Sequence, residues 1–131
     1  MTFMTTRFTT KQIKGKGRGK FLGYPTINLE VPAGFDLSEG IYAAWVTIDD
    51  TRFRGALHWG PIPTFEETTP SLEIYVLGVG DHDLAHADLT AVTIEPVARL
   101  RNIGRFATIA ALTRQIELDV IAVRKNLRGN F

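Results

Sequence analysis

Three glycines at alternate positions, Gly15, Gly17 and Gly19, stand between Lys14, Lys16, Arg18 and Lys20. Gly23 follows, and then the run Tyr24-Pro25-Thr26-Ile27-Asn28. Glycine lets a backbone come close to a ligand and turn its N–H groups towards it, and the basic side chains favour an anion. Pro25 fixes the chain just before Thr26. In an extended segment Thr26 and Asn28 leave the same face, because strand side chains repeat with period two. A hydroxyl and an amide oxygen side by side are donors that a hard cation such as magnesium accepts. The stretch therefore reads as a phosphate site with room for a metal. The plainer alternatives are a solvated Gly/Lys loop and a Thr-Asn pair bonded to its own backbone. The GxxxxGK[ST] spacing of a P-loop is absent.

A carboxylate is the second candidate. Glu73 lies between Leu72 and Ile74 in an alternating run, so it faces away from both. It points either to solvent or into a polar cleft, where it could take a proton from a substrate hydroxyl. His82 and His86 lie near Asp81, Asp83 and Asp88 in what reads as a polar loop, without a metal-ligand spacing that would mark a site. Trp59 and Phe65 border a turn containing Pro61 and Pro63. They could stack on a planar heterocycle or simply close the fold.

The elements that must position these residues are mostly strands. Phe8–Ile13, Thr26–Val31, Ile41–Ile48, Arg52–His58, Leu72–Leu77 and Leu89–Val97 read as about six short strands, with Asp49-Asp50 as a hairpin turn. That number and length suggest a small barrel or sandwich. The pattern then changes period. Thr108 can cap a helix in which Ile109, Leu112, Ile116, Val120 and Val123 form one stripe, while Arg114, Glu117, Asp119, Arg124 and Lys125 mostly fill other faces. This helix is expected to cover an open side or end of the barrel.

Size and charge narrow the partners. The 131 residues fit a single domain over 1–131, and there is no cysteine for disulfides, thiolate metal sites or a thiol nucleophile. A net charge of +1 argues against a general nucleic-acid binder. Five positive and no negative residues between Lys11 and Lys20 fit a local anion site better. Neither a signal sequence nor a membrane-length apolar run is evident, so the expected setting is the cytoplasm, with no membrane partner and a monomeric chain.

Taken together, these residues resemble riboflavin kinase, the flavokinase family. The carriers of the resemblance are the basic glycine run with Leu22, Gly23, Tyr24, Pro25, Thr26 and Asn28; then Gly40-Ile41-Tyr42-Ala43; then Gly60, Pro63, Thr64 and Phe65. Glu73 follows within its strand, then Arg101 to Phe106, then Leu112, Gln115, Ile116 and Asp119. The resemblance implies a six-stranded antiparallel Greek-key barrel with a C-terminal α-helix. It also implies ATP-dependent phosphorylation of the riboflavin 5′-hydroxyl, giving FMN and ADP. Thr26 and Asn28 would then hold Mg2+ and phosphate, with Gly15, Lys16, Gly17, Arg18, Gly19, Gly23 and Pro25 forming the nucleotide loop. Glu73 would be the base, and Arg101 would belong to a segment closing near the flavin. The alternatives are a flavin- or nucleotide-binding module without catalysis, and a kinase for a related small hydroxylated substrate. Three departures from the family pattern stand out: His58 in place of Asn, Ala85-His86 in place of Tyr-Gly, and Ile103 in place of an acidic residue. All three are expected on the flavin side or the barrel rim. Many bacterial enzymes of this type resemble a fusion of this module to an adenylyltransferase; this chain could act alone, alongside a separate FMN adenylyltransferase in the pathway, or as a portion of a longer protein.

Overall fold

The computed structural model describes residues 7–14, 24–61 and 69–128. The strands are β1 (Phe8–Thr10), β2 (Thr26–Leu29), β3 (Gly40–Ile48), β4 (Thr51–Gly60), β5 (Ser71–Val76) and β6 (Val92–Arg101). A short helix α1 (Asp81–Ala85) lies between β5 and β6, and a long helix α2 (Ile109–Asn126) follows β6. All pairings are antiparallel, in the order β1-β6-β3-β4-β5-β2. The glycine run and the Pro63-Thr64-Phe65 landmark fall outside the described residues.

The first expected strand proves to be two pairings. Phe8–Thr10 pairs with β6, and the chain then crosses to the other edge of the sheet, where Gln12 bridges Leu29. Ile13 N–H donates to the Asn28 carbonyl at 2.8 Å, and Glu30 N–H donates to the Lys11 carbonyl at 2.9 Å. These bonds join the two sheet edges and close the barrel. β6 supplies curvature. Its pairing with β3 skips one residue between Ala43 and Ala44 and another between Ile41 and Tyr42, so β6 bulges twice. Pro96, which has no N–H to give a ladder, sits at the first of these irregularities.

Alternation divides the strands between two cores. Ile27, Leu29, Tyr42, Val46, Leu57, Leu72, Ile74 and Ile94 point into the barrel. Ala43, Ala56, Tyr75 and Leu77 point outward and pack against Leu112, Ile116, Val120, Val123 and Leu127 at α2 and its C-terminal cap. Two alanines at the centre of that outer patch let the helix lie close to the sheet. The Thr108 hydroxyl accepts from Ala111 N–H at 3.0 Å and caps α2 as its sequence suggests. Asp119 departs from expectation. It lies within the buried stripe, three residues from Ile116 and four from Val123, because Arg101 on the sheet provides its partner.

Two further sequence expectations change. The stretch around His82 and His86 forms α1 rather than an open loop, with the two imidazole rings edge to face at 4.5 Å. Trp59 is occupied with packing: it meets Phe35 edge-on at 5.0 Å, and Phe35 meets Phe8 at 5.1 Å. This aromatic stack fills one end of the barrel interior.

Candidate active site

Register places the candidate residues. Asn28 on β2 is the cross-strand partner of Glu73 on β5, and Glu73 is the partner of His58 on β4. Directly opposed residues in antiparallel strands leave the same face. The three side chains therefore form one row across the outside of the barrel, spanning about 10 Å at the usual strand spacing. His58 in turn opposes Ile41, and Ile41 opposes Arg101 on β6. An amide, a carboxylate, an imidazole and a guanidinium thus lie along one line that no stretch of sequence contains.

Glu73 is 5% exposed, so it is not on a solvated strand face. A buried carboxylate needs polar groups near it, and both of its cross-strand neighbours in the row, Asn28 and His58, are polar. Thr26 lies two residues before Asn28 and shares its face. Its hydroxyl donates to the Tyr24 carbonyl at 3.1 Å. That bond meets the plainer expectation for a threonine in a turn, yet it uses only the hydroxyl proton. The oxygen lone pairs remain available to a cation. Thr26 and Asn28, on the same face of β2 as Glu73 on β5, carry oxygens of the kind that could hold a hard cation such as magnesium. Among the described residues there is no cluster of three or more His, Asp or Glu side chains that would hold a metal by itself.

His58 was not singled out for chemistry by the sequence, and its setting is unusual. It is 7% exposed, and Nε2 lies 2.8 Å from the Gly60 carbonyl. A carbonyl only accepts, so Nε2 carries a hydrogen and donates it. Burial pushes its pKa down to about 4, the nearby Arg101 charge adds to the fall, and the Gly60 bond and Asp119 act the other way. At neutral pH the residue beside Glu73 is therefore uncharged.

Arg101 is held firmly. Its Nε and Nη2 donate to the two oxygens of Asp119 at 2.8 and 2.7 Å, and Nη1 donates to the Asn102 carbonyl at 3.0 Å. Gln115 Nε2 donates to the same Asp119 at 3.1 Å.

Thr26 also borders a cavity of about 350 Å³, lined by Lys11, Gln12, Ile27, Leu84, Ala85 and Leu89 among others. Ala85, one of the family departures, lines the same cavity as Thr26. The other two departures do cluster near the arginine. Ile103 approaches Gly60 so closely that a β-carbon there would meet it at 3.2 Å, and Gly60 is the residue bonded to His58.

An antiparallel barrel closed through its first strand, covered by one helix and carrying a carboxylate in an outer polar row, defines the structural class. A profile described as Flavokinase, riboflavin kinase, matches residues 3–127. The chain belongs to the riboflavin kinase family. It is 29% identical over 116 residues to the RNA-binding riboflavin kinase RibR of Bacillus subtilis, covering 86% of this chain and 47% of that protein. It is 30% identical over 111 residues to the bifunctional riboflavin kinase/FMN adenylyltransferase of the same organism, covering 82% and 34%. The corresponding bifunctional protein of Escherichia coli K12 is 28% identical over 116 residues, covering 86% and 35%. The chain thus spans between about a third and a half of the length of these relatives. A crystal structure titled as a macrolide-efflux protein from Streptococcus pneumoniae superposes with a TM-score of 0.75 at 22% identity. It covers 90% of this chain and 38% of that one, a likeness of fold alone.

Proposed function

We propose that the chain transfers the γ-phosphoryl group of ATP to the 5′-hydroxyl of riboflavin, giving FMN and ADP. The observation that carries this reading is Glu73: a buried carboxylate set in register between Asn28 of the Pro-Thr-x-Asn strand and a neutral His58. In this reading Glu73 accepts the hydroxyl proton while the hydroxyl oxygen attacks the γ-phosphorus and ADP leaves. Thr26 and Asn28 would hold Mg2+ with the phosphates, and the ion would offset charge on the transferring group. The cavity beside Thr26 has room for a nucleoside-sized group and carries Lys11 at its rim. The run from Gly15 through Lys16, Gly17, Arg18 and Gly19 to Gly23 and Pro25 would close over the phosphates.

The neutral state of His58 supports the same assignment. A charged imidazolium beside Glu73 would stabilise the carboxylate and make it a poorer base. A cytoplasmic setting and a separate FMN adenylyltransferase that consumes the product belong to this reading. RNA binding is in the name of one relative, and a net charge of +1 gives no reason to extend it to this chain. Among the described residues no helix is long and apolar enough to cross a membrane.

The test is direct. Purified protein is incubated with riboflavin, ATP and magnesium, and the flavins are separated by chromatography. Formation of FMN with stoichiometric ADP is expected. Absence of FMN under conditions where an authentic riboflavin kinase turns over would refute the proposal, and efficient turnover would remove the non-catalytic alternative.

A further inference from the structure

Arg101 has the sequence position of a substrate-side residue, yet its guanidinium is directed into the protein. Asp119 takes two of its donors in a bidentate pair, the form of this contact that fixes geometry best. The carboxylate is 6% exposed and is held from a third direction by Gln115. On the other side of the arginine, Nη1 ties down the Asn102 carbonyl, and the Phe106 ring lies 5.8 Å from the guanidinium carbon. A β-carbon at Gly104 would meet Phe106 at 3.3 Å and Arg101 Nη1 at 3.9 Å, so the connection between β6 and α2 folds back across the arginine. The same connection presses Ile103 on Gly60, whose carbonyl receives the His58 hydrogen bond.

From this geometry we infer that Arg101, Asp119 and Gln115 form a brace that positions residues 102–107 against the Glu73–His58 end of the row, and that Arg101 is a positioning residue rather than a substrate contact. The inference rests on the kinase reading only for which substrate the braced segment serves. Asn28 and Thr26 occupy the β2 end of the row, so the end near His58 and Arg101 is left for the phosphoryl acceptor. Disturbing the brace then acts on the acceptor and leaves the nucleotide alone. Arg101 and Asp119 act as one unit, so their effects do not multiply.

The experiment compares wild type with Arg101→Lys, Asp119→Asn and the double variant. Each is checked by circular dichroism and thermal melting, then assayed for riboflavin phosphorylation. The expected result is a rise in KM for riboflavin of about tenfold in either single variant, with KM for ATP within about twofold of wild type and the double variant no worse than the poorer single one. Amide hydrogen exchange without any ligand is measured in parallel, and residues 102–107 exchange faster in Asp119→Asn. If Asp119→Asn does not fold, Gln115→Ala takes its place and shifts both readouts in the same direction. A loss confined to Arg101→Lys, multiplying effects in the double variant, or unchanged exchange over 102–107 would overturn the inference. Failure of wild type to phosphorylate riboflavin would instead count against the kinase reading, and the exchange measurement would still decide whether the brace orders this segment.

Discussion

Replacing His58 with glutamine removes a titrating ring from the barrel wall while keeping an N–H that can donate to the Gly60 carbonyl. The ring's pKa is about 4 in the folded protein against an ordinary 6.5, chiefly because it is buried. A gap of that size corresponds to about 3 kcal/mol at 1.36 kcal/mol per pKa unit. The sign follows from proton counting. Between pH 6.5 and 4 the unfolded chain binds a proton at this ring and the folded chain does not, so acid favours unfolding. The neutral ring's full contribution holds above pH 6.5, about 2 kcal/mol of it is gone by pH 5, and the remainder disappears as pH falls through 4. Urea unfolding of wild type and His58→Gln at pH 7, 6 and 5 isolates this effect, because all other titrating groups are common to both. The stability difference between the two proteins should shift by about 2 kcal/mol against wild type from pH 7 to pH 5. Parallel stability curves across that range would show that His58 is not a buried neutral ring.

Three other outcomes are expected. Glu73→Gln should lower kcat by roughly 10²–10⁴ with nucleotide affinity little changed, measured by steady-state kinetics and ATP binding; near-normal kcat would remove Glu73 from the chemistry. Thr26→Ala should raise the magnesium and ATP concentrations needed for turnover, and an unaltered magnesium dependence would argue against a ligand role. Asp50 holds a left-handed conformation, φ 64°, in the turn between β3 and β4, where Ile48 pairs with Thr51. Asp50→Gly should therefore stabilise the protein by about 0.5–1 kcal/mol in chemical denaturation, and a destabilised variant would contradict the turn assignment.

Much of the fold is visible in alternation and turn chemistry. The β3–β4 hairpin could be read from β-branched and aromatic residues on either side of Asp49-Asp50, and α2 from the stripe ending at Val123. What could not be read is whatever depends on two distant segments meeting. Gln12 crosses to Leu29 because barrel closure requires a second edge partner, and no local pattern marks that switch. Asp119 looks like one more surface charge until Arg101, eighteen residues earlier, is placed beneath it. For the candidate site, the Thr26–Asn28 spacing followed from strand period alone. The burial of Glu73 and its alignment with Asn28 and His58 depend on register between strands, which a single sequence does not specify. His58 itself had a detectable signal: a histidine at a position that should point outward from a strand, beside an apolar run, where the resembling family carries Asn.

The crossing of the first strand from β6 to β2 has a consequence for how such a unit behaves inside a longer polypeptide. An open sheet offers unpaired N–H and C=O groups along its rim, and these can recruit a strand from a neighbouring chain. Here the Lys11–Ile13 segment occupies the outer hydrogen bonds at the Asn28–Glu30 end of β2. The strand therefore has a partner on both sides at Asn28 and Leu29, and an incoming strand would have to displace one of them before it could pair there. Such a barrel can be joined to other domains without offering them a template for misassembly at β2.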